Sequence, residues 1–211
     1  WILKESISFF DNLGLTVIYG DTDSLFVPLN SDYESSEAAI KLAEDLNYYL
    51  SRTLQDQFGC ESKLEVEMEK IYDQLFFSSA RGSEQGAKKR YVGWRQRELE
   101  FVGMEYVRSD WTQLAKDFQY GLFERLFEGE PLDFYIKDEI KKLESGLYDD
   151  KLIYRKKLSK KPEEYTKSQP PHVKAALLLP EEKRKRLRSV RYMISVGGPR
   201  PLGLDDALKP D

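Results

Sequence analysis

The six residues Tyr19-Gly20-Asp21-Thr22-Asp23-Ser24 lie between two short apolar runs, residues 15–18 (Leu-Thr-Val-Ile) and residues 25–27 (Leu-Phe-Val). The β-branched Thr16-Val17-Ile18 favours a strand over residues 15–19. Gly20-Asp21-Thr22-Asp23 reads as a turn, and residues 24–29 as a returning strand that Pro28 closes. The pattern predicts a β-hairpin with two carboxylates at its tip. Side chains two apart on an extended chain point to one side, so Asp21 and Asp23 are expected together. Two carboxylates held that close repel unless a cation lies between them. Hard oxygen donors suit Mg²⁺, which takes one or two carboxylates with water and substrate phosphates. A bare Asp-x-Asp is more often an ordinary turn, because Asp favours turns for its own local hydrogen bonds. Rigid flanking strands, and Gly20 permitting close approach, raise this one to a candidate site.

Outward from the hairpin, residues 7–13 close an amphipathic helix that Gly14 stops. On the other side Ser35 or Ser36 can cap a helix running to about Phe58. Ala39, Leu42, Ala43, Leu46, Leu50, Thr53 and Leu54 recur there at helical spacing. Residues 64–79 are strand-like, 81–87 a glycine-containing loop, 88–96 a strand and 97–102 extended. The expected fold class is α+β, with helices packed on a small, mainly antiparallel sheet. After Asp110 the pattern turns mostly helical. Asp110 can cap a helix whose Trp111, Leu114, Ala115, Phe118, Leu122 and Leu126 share a face. Gly129 ends it and Pro131 opens another, in which Leu132, Tyr135, Ile136, Ile140 and Leu143 are expected to be buried. These signals place a domain boundary at residues 108–110, giving segments 1–109 and 110–211. Beyond lie a basic stretch at 154–161, a Pro-Pro turn at 170–171, a short helix to Leu179 and a strand over 189–196.

Composition narrows the chemistry. Of 211 residues, Cys60 is the only cysteine and His172 the only histidine, so a disulfide, a cysteine zinc site and a histidine-based triad are excluded within this sequence. No apolar run approaches the roughly 20 residues that span a bilayer, and no signal peptide is legible; a cytoplasmic setting without a membrane partner is expected. The net charge of −4 hides a segregation. Residues 1–150 hold 17 Lys and Arg against 30 Asp and Glu, whereas residues 151–191 hold 14 against 4. Cations gathered this way point to a polyanionic partner, the alternative being a solvated basic face.

The whole string Tyr19-Gly20-Asp21-Thr22-Asp23-Ser24, in its strand–turn–strand setting, resembles polymerase motif C of family B DNA polymerases. The resemblance implies two-metal nucleotidyl transfer, with Asp21 and Asp23 catalytic. Asp23 would be the main Mg²⁺ ligand, Asp21 would support it, and Tyr19 would pack. The family draws a further aspartate from a motif upstream, so the isolated chain is expected to be inactive. Glu65, Glu67 and Glu69 share one side of an extended segment, by default a solvated edge; the family places an accessory metal-approaching acid in this region, for which Glu69 is the candidate.

A second match is Lys88-Lys89-Arg90-Tyr91, 65 residues after Asp23. It resembles the family's strand that touches the primer end from the minor-groove side. Strand alternation would present Lys89 and Tyr91 to one side, and Lys88 and Arg90 to the other. Gly103-Met104-Glu105 and Arg108-Ser109-Asp110-Trp111 resemble the entry to the family's thumb. Tyr154-Arg155-Lys156-Lys157-Leu158 and Pro170-Pro171-His172-Val173-Lys174-Ala175-Ala176 look like thumb segments of its bacterial members, with His172 a structural turn residue. On this reading residues 1–109 are the last part of a palm and 110–211 a thumb truncated at its C-terminal end. The implied partners are primer–template DNA, deoxynucleoside triphosphates and a sliding clamp, in replication or repair. Arg155, Lys156, Lys157, Lys160, Lys161 and Lys174 are the expected phosphate contacts. The competing readings are a non-catalytic basic DNA-binding module, in which the hairpin is vestigial, and a two-metal nuclease, which leaves the lysine strand unexplained.

Overall fold

Ser35 accepts a hydrogen bond from the Ala38 amide at 3.1 Å and starts helix α2 (Ser36–Phe58), which Gly59 ends in the left-handed conformation. Ala39, Leu42, Leu46 and Leu50 form its buried side, as the helical spacing predicts. Helix α1 (Ile2–Asn12) packs on α2 through Phe10. The core they share takes in Leu15 and, half-buried, Val17, Leu25, Val27 and Leu29 from either side of the hairpin formed by β1 (Tyr19–Asp21) and β2 (Ser24–Phe26). Thr16 and Ile18 face water, so residues 15–18 alternate as a strand does, although the regular ladder begins only at Tyr19. Residues 60–72 hold no regular strand; the Asn47 amide takes the place of a neighbour by pairing with both Val66 N and Val66 O at 2.7 Å.

These elements belong to the first of two compact units, Trp1–Tyr72 and Asp73–Asp211. The change of pattern at Asp110 therefore lies inside the second unit. The computed structural model describes residues 1–79 and 86–202, apart from the side chain of Lys88; most of the loop expected over 81–87 lies outside them.

The second unit opens with a three-stranded antiparallel sheet, β3 (Gln74–Ser79), β4 (Gly86–Arg95) and β5 (Glu98–Val102), in that order. Gln96 and Arg97 join β4 to β5 with φ of 51° and 65°, the positive pair that a two-residue hairpin turn requires. Asp73 braces this turn by accepting from the Gln96 amide at 3.1 Å. Val92, Trp94, Phe101 and Met104 pack with Phe123 and Phe127 of helix α3 (Gln113–Glu128). Helix α4 (Leu132–Glu144) meets α3 where Tyr135 stacks on Phe118, ring centroids 5.6 Å apart.

A second three-stranded antiparallel sheet follows, in the order β6 (Tyr154–Lys157), β7 (Ser189–Ser195), β8 (Gly198–Pro201). Helix α5 (Pro171–Leu177) packs Ala175 and Ala176 on Val190 and Tyr192 of this sheet. His172 lies half-buried in the first turn of α5. The chain is thus mixed α and β, with small antiparallel sheets; the region after Asp110 adds a sheet to its helices. No helix among the described residues is long and apolar enough to cross a membrane.

Candidate active site and nucleic-acid interface

The hairpin pairs Tyr19 with Phe26, Gly20 with Leu25 and Asp21 with Ser24, leaving Thr22 and Asp23 as the whole turn. Thr22 takes φ 54°, and the Asp23 amide donates to Asp21 O at 2.5 Å, closing a three-residue turn. Asp21 therefore ends a strand while Asp23 lies in the turn. The alternation expected from sequence does not carry across Thr22, because its positive φ breaks the extended repeat. Asp21 is half-buried, with Oδ1 accepting from Thr22 Oγ1 at 3.1 Å; Asp23 is exposed. Tyr19 packs edge-on against Phe26 at 5.5 Å. A Cβ on Gly20 would come within 3.0 Å of Leu25 Cδ2, so the neighbouring strand crowds this glycine.

Glu65, Glu67 and Glu69 are exposed and alternate with half-buried Val66, Met68 and Lys70, as an extended segment with an acidic outer edge. Among the described residues no three His, Cys, Asp or Glu side chains gather closely enough to hold a metal, so Glu69 does not complete a cluster with Asp21 and Asp23. Two carboxylates at an exposed tip still fit Mg²⁺, which is held by one or two carboxylates when phosphates and water supply the rest.

Strand β4 carries Lys88-Lys89-Arg90-Tyr91. Pairing runs from Phe77 with Tyr91 to Ser79 with Gly86, so the register slips, and Lys89 takes φ 57°. This bulge ends the simple alternation predicted for the four residues. Arg90 Nη2 donates to Glu105 Oε1 at 2.7 Å and Nη1 to Gly103 O at 3.3 Å. Gln119 Nε2 donates to the other Glu105 oxygen at 2.9 Å, and Gln119 Oε1 accepts from the Tyr106 amide at 2.8 Å. Burial alone would raise the Glu105 carboxyl, but the hydrogen bonds from Arg90 and then Gln119 outweigh it and hold it below its ordinary value. Gly103, at φ 63°, lies against the Lys89 carbonyl so closely that a Cβ would collide with it. Arg90 thus braces the bulge from within the protein, Lys89 is exposed, and Tyr91 lies half-buried beside Phe77 at 5.9 Å. Sequence reasoning missed this brace. Gly103-Met104-Glu105 carried a hint of it; Gln119 carried none.

Asp110 does not cap α3. Thr112 does, its Oγ1 accepting from the Ala115 amide at 3.2 Å. Asp110 instead joins Arg108, at 3.2 Å from Nε and from Nη2, to Lys156, whose Nζ is 2.5 Å away. Hydrogen bonds from Arg108 and then Lys156 hold the Asp110 carboxyl well below the usual carboxylate range. Lys156 is thereby committed to a protein carboxylate, unlike its exposed neighbours Arg155 and Lys157. Lys160, Lys161 and Lys174 are also exposed, with Lys160 Nζ 4.8 Å from the centre of the Tyr165 ring.

The profile of DNA polymerase family B matches residues 3–195, and the chain belongs to that family. It is 38% identical to DNA polymerase II of Escherichia coli (strain K12) over 216 residues, covering 95% of this chain and 28% of that protein. DNA polymerase 2 of Aeropyrum pernix is 36% identical over 84% of the chain and 20% of its own length. The DNA polymerase alpha catalytic subunit of Drosophila melanogaster is 24% identical over 93% of the chain and 14% of its own length. The chain spans less than a third of each of these relatives.

Proposed function

We propose that this chain is the palm-end and thumb portion of a DNA-directed DNA polymerase that transfers nucleotides under template direction. The observation that carries the reading is the Tyr-Gly-Asp-Thr-Asp-Ser string folded as a two-residue turn inside a chain that the family profile matches over residues 3–195. Asp23, exposed in the turn, is the main Mg²⁺ ligand; Asp21, anchored at the strand end, adds its charge. When bound, Mg²⁺ supplies the positive charge that the primer oxygen and the nucleotide phosphates need during an in-line displacement.

The remaining work falls to this chain's own side chains. The hairpin holds the two carboxylates on a short, rigid turn, so little reorganisation accompanies the reaction. Lys88, Lys89 and Tyr91 meet the primer end, with Arg90 bracing their strand. Exposed cations of residues 155–174 grip the duplex through phosphates, which positions it without reading sequence. A copying enzyme needs that indifference. Deoxynucleoside triphosphates are the substrates, and a sliding clamp is a candidate partner of the whole polymerase. Replacing the aligned stretch of the E. coli relative with this chain tests the reading. The exchanged protein should extend a primer when given Mg²⁺ and all four nucleotides. An exchanged protein that is folded and binds primer–template, yet leaves the primer unextended, contradicts it.

A further inference from the structure

Helix α2 buries Ala39, Leu42, Leu46 and Leu50, and a second stripe runs beside that face. Asp45, Tyr48, Tyr49, Arg52 and Asp56 recur at intervals of three and four residues, so they share one side of the helix. With Phe9 and Leu13 of α1, and with Tyr33 from the segment before α2, they line a cleft of about 550 Å³, the size of a small-ligand site. The floor of this cleft is fixed. Phe9, Tyr33 and Tyr49 are half-buried against the core of the first unit, and the Phe9 and Tyr49 rings lie 5.4 Å apart. The Tyr49 hydroxyl donates to Glu5 Oε2 at 3.2 Å, which sets the ring's direction. The rim is open: Asp45, Arg52 and Asp56 are exposed, and Tyr48 is 65% exposed.

Charge on this rim favours a cation. Among the described residues, neither Asp45 nor Asp56 makes an ion pair or hydrogen bond through its carboxylate. Residues 1–72 hold 5 Lys and Arg against 14 Asp and Glu, so the field around the cleft is negative. Arg52 is the cation of the stripe, and its guanidinium stands over the Tyr48 ring at 5.9 Å, so that ring face already receives positive charge. Asp45 and Asp56 are eleven residues apart, close to three helical turns, which sets them on the same side about 16 Å apart along the axis. Two carboxylates at that separation, with aromatic and aliphatic side chains between them, suit an elongated molecule with a cation at each end and methylenes in the middle.

We propose that this cleft binds a linear polyamine. Extended spermine carries its terminal ammonium groups at the separation of Asp45 and Asp56. Each terminal ammonium donates to one of these carboxylates, the methylenes cover Phe9 and Leu13, and an inner ammonium lies over the face of Tyr48. Arg52 holds that same ring face, so it competes with the inner ammonium. The site goes beyond the polymerase reading and does not depend on it.

The test is isothermal titration calorimetry of the 211-residue chain at low salt, with spermine, diaminododecane and putrescine as probes. Diaminododecane has the length of spermine and only its two terminal charges; putrescine has two charges on a short chain. Spermine should bind most tightly. Putrescine should bind about tenfold more weakly than diaminododecane, because it loses one carboxylate and most of the apolar contact. Asp45→Asn and Asp56→Asn should each weaken diaminododecane roughly threefold. Tyr48→Ala should weaken spermine by about the same factor, and Arg52→Gln should tighten it. Glu65→Gln, on the acidic outer edge of the same unit, should change nothing. Equal affinity for putrescine and diaminododecane overturns the site, because attraction to an acidic surface at large has no preference for length. Aspartate and Tyr48 variants that bind like the parent overturn it as well, as does binding that the whole polymerase, free of DNA, does not reproduce. Each of these results leaves the polymerase reading standing, since the segment exchange tests that separately.

Discussion

Gly103 shows how one residue can set the course of a neighbouring strand. Its φ of 63° is left-handed, and the Lys89 carbonyl fills the space a side chain would need. Gly129 is equally left-handed at φ 74°, but nothing lies within 4 Å of its missing Cβ. Gly129→Ala should therefore cost only the conformational penalty, about 1–2 kcal/mol. Gly103→Ala should cost clearly more, because the bulge must also move. Urea unfolding of the two variants measures the difference; equal costs would mean that Gly103 is not wedged against β4. The two carboxylates of the hairpin were legible in sequence because motif and turn are local. Their separation into strand end and turn was not, since a positive φ at Thr22 has no signature in an Asp-Thr-Asp string. The partner of Arg90 was equally hidden, because the ion pair with Glu105 spans 15 residues and depends on the fold around it.

Helix α2 and strand β5 follow their patterns closely, β4 does so in extent but not through its bulge at Lys89, and the cap at Ser35 was visible as a serine preceding a helical run. Helix α3 is instructive in the other direction. Its expected face ran through Trp111, Leu114, Phe118 and Leu126, whereas Phe123 and Phe127 are its buried residues, and Trp111 and Leu126 are exposed. The helix meets the sheet with one side and α4 with another, so apolar residues occur around much of its girth and periodicity alone does not select the core side. Helix α4 buries none of its residues fully; Ile140 and Leu143, expected inside, are 48% and 40% exposed. The start of α3 lies two residues beyond the one expected, because Asp110 is drawn to Arg108 and Lys156 and leaves the capping to Thr112. Thr112→Ala should cost about 1 kcal/mol, seen as a lowered urea midpoint. Asp110→Asn should leave the cap hydrogen bond intact. A Thr112→Ala variant as stable as the parent would return the cap to another residue.

On the scale of the whole chain, charge segregation was the clearest message of the sequence, and the structure gives it form. An acidic first unit carries the Asp21–Asp23 hairpin, and the second unit carries the lysine strand and the cation-bearing sheet. The division into compact units at Tyr72 was not visible in composition, because β3 to β5 and α3 share one aromatic core across the change of pattern at Asp110. The account as a whole turns on whether the exposed turn carboxylate belongs to the chemistry. The most direct measurement is single-turnover nucleotide incorporation by the whole polymerase carrying Asp23→Ala, with primer–template affinity measured in parallel. On the proposed assignment Asp23 would supply charge to the metal site and none to the duplex grip, so incorporation should vanish while DNA affinity stays nearly unchanged. A rate within about tenfold of the parent, a barrier change of only about 1.4 kcal/mol, would contradict the assignment of Asp23 as a metal ligand.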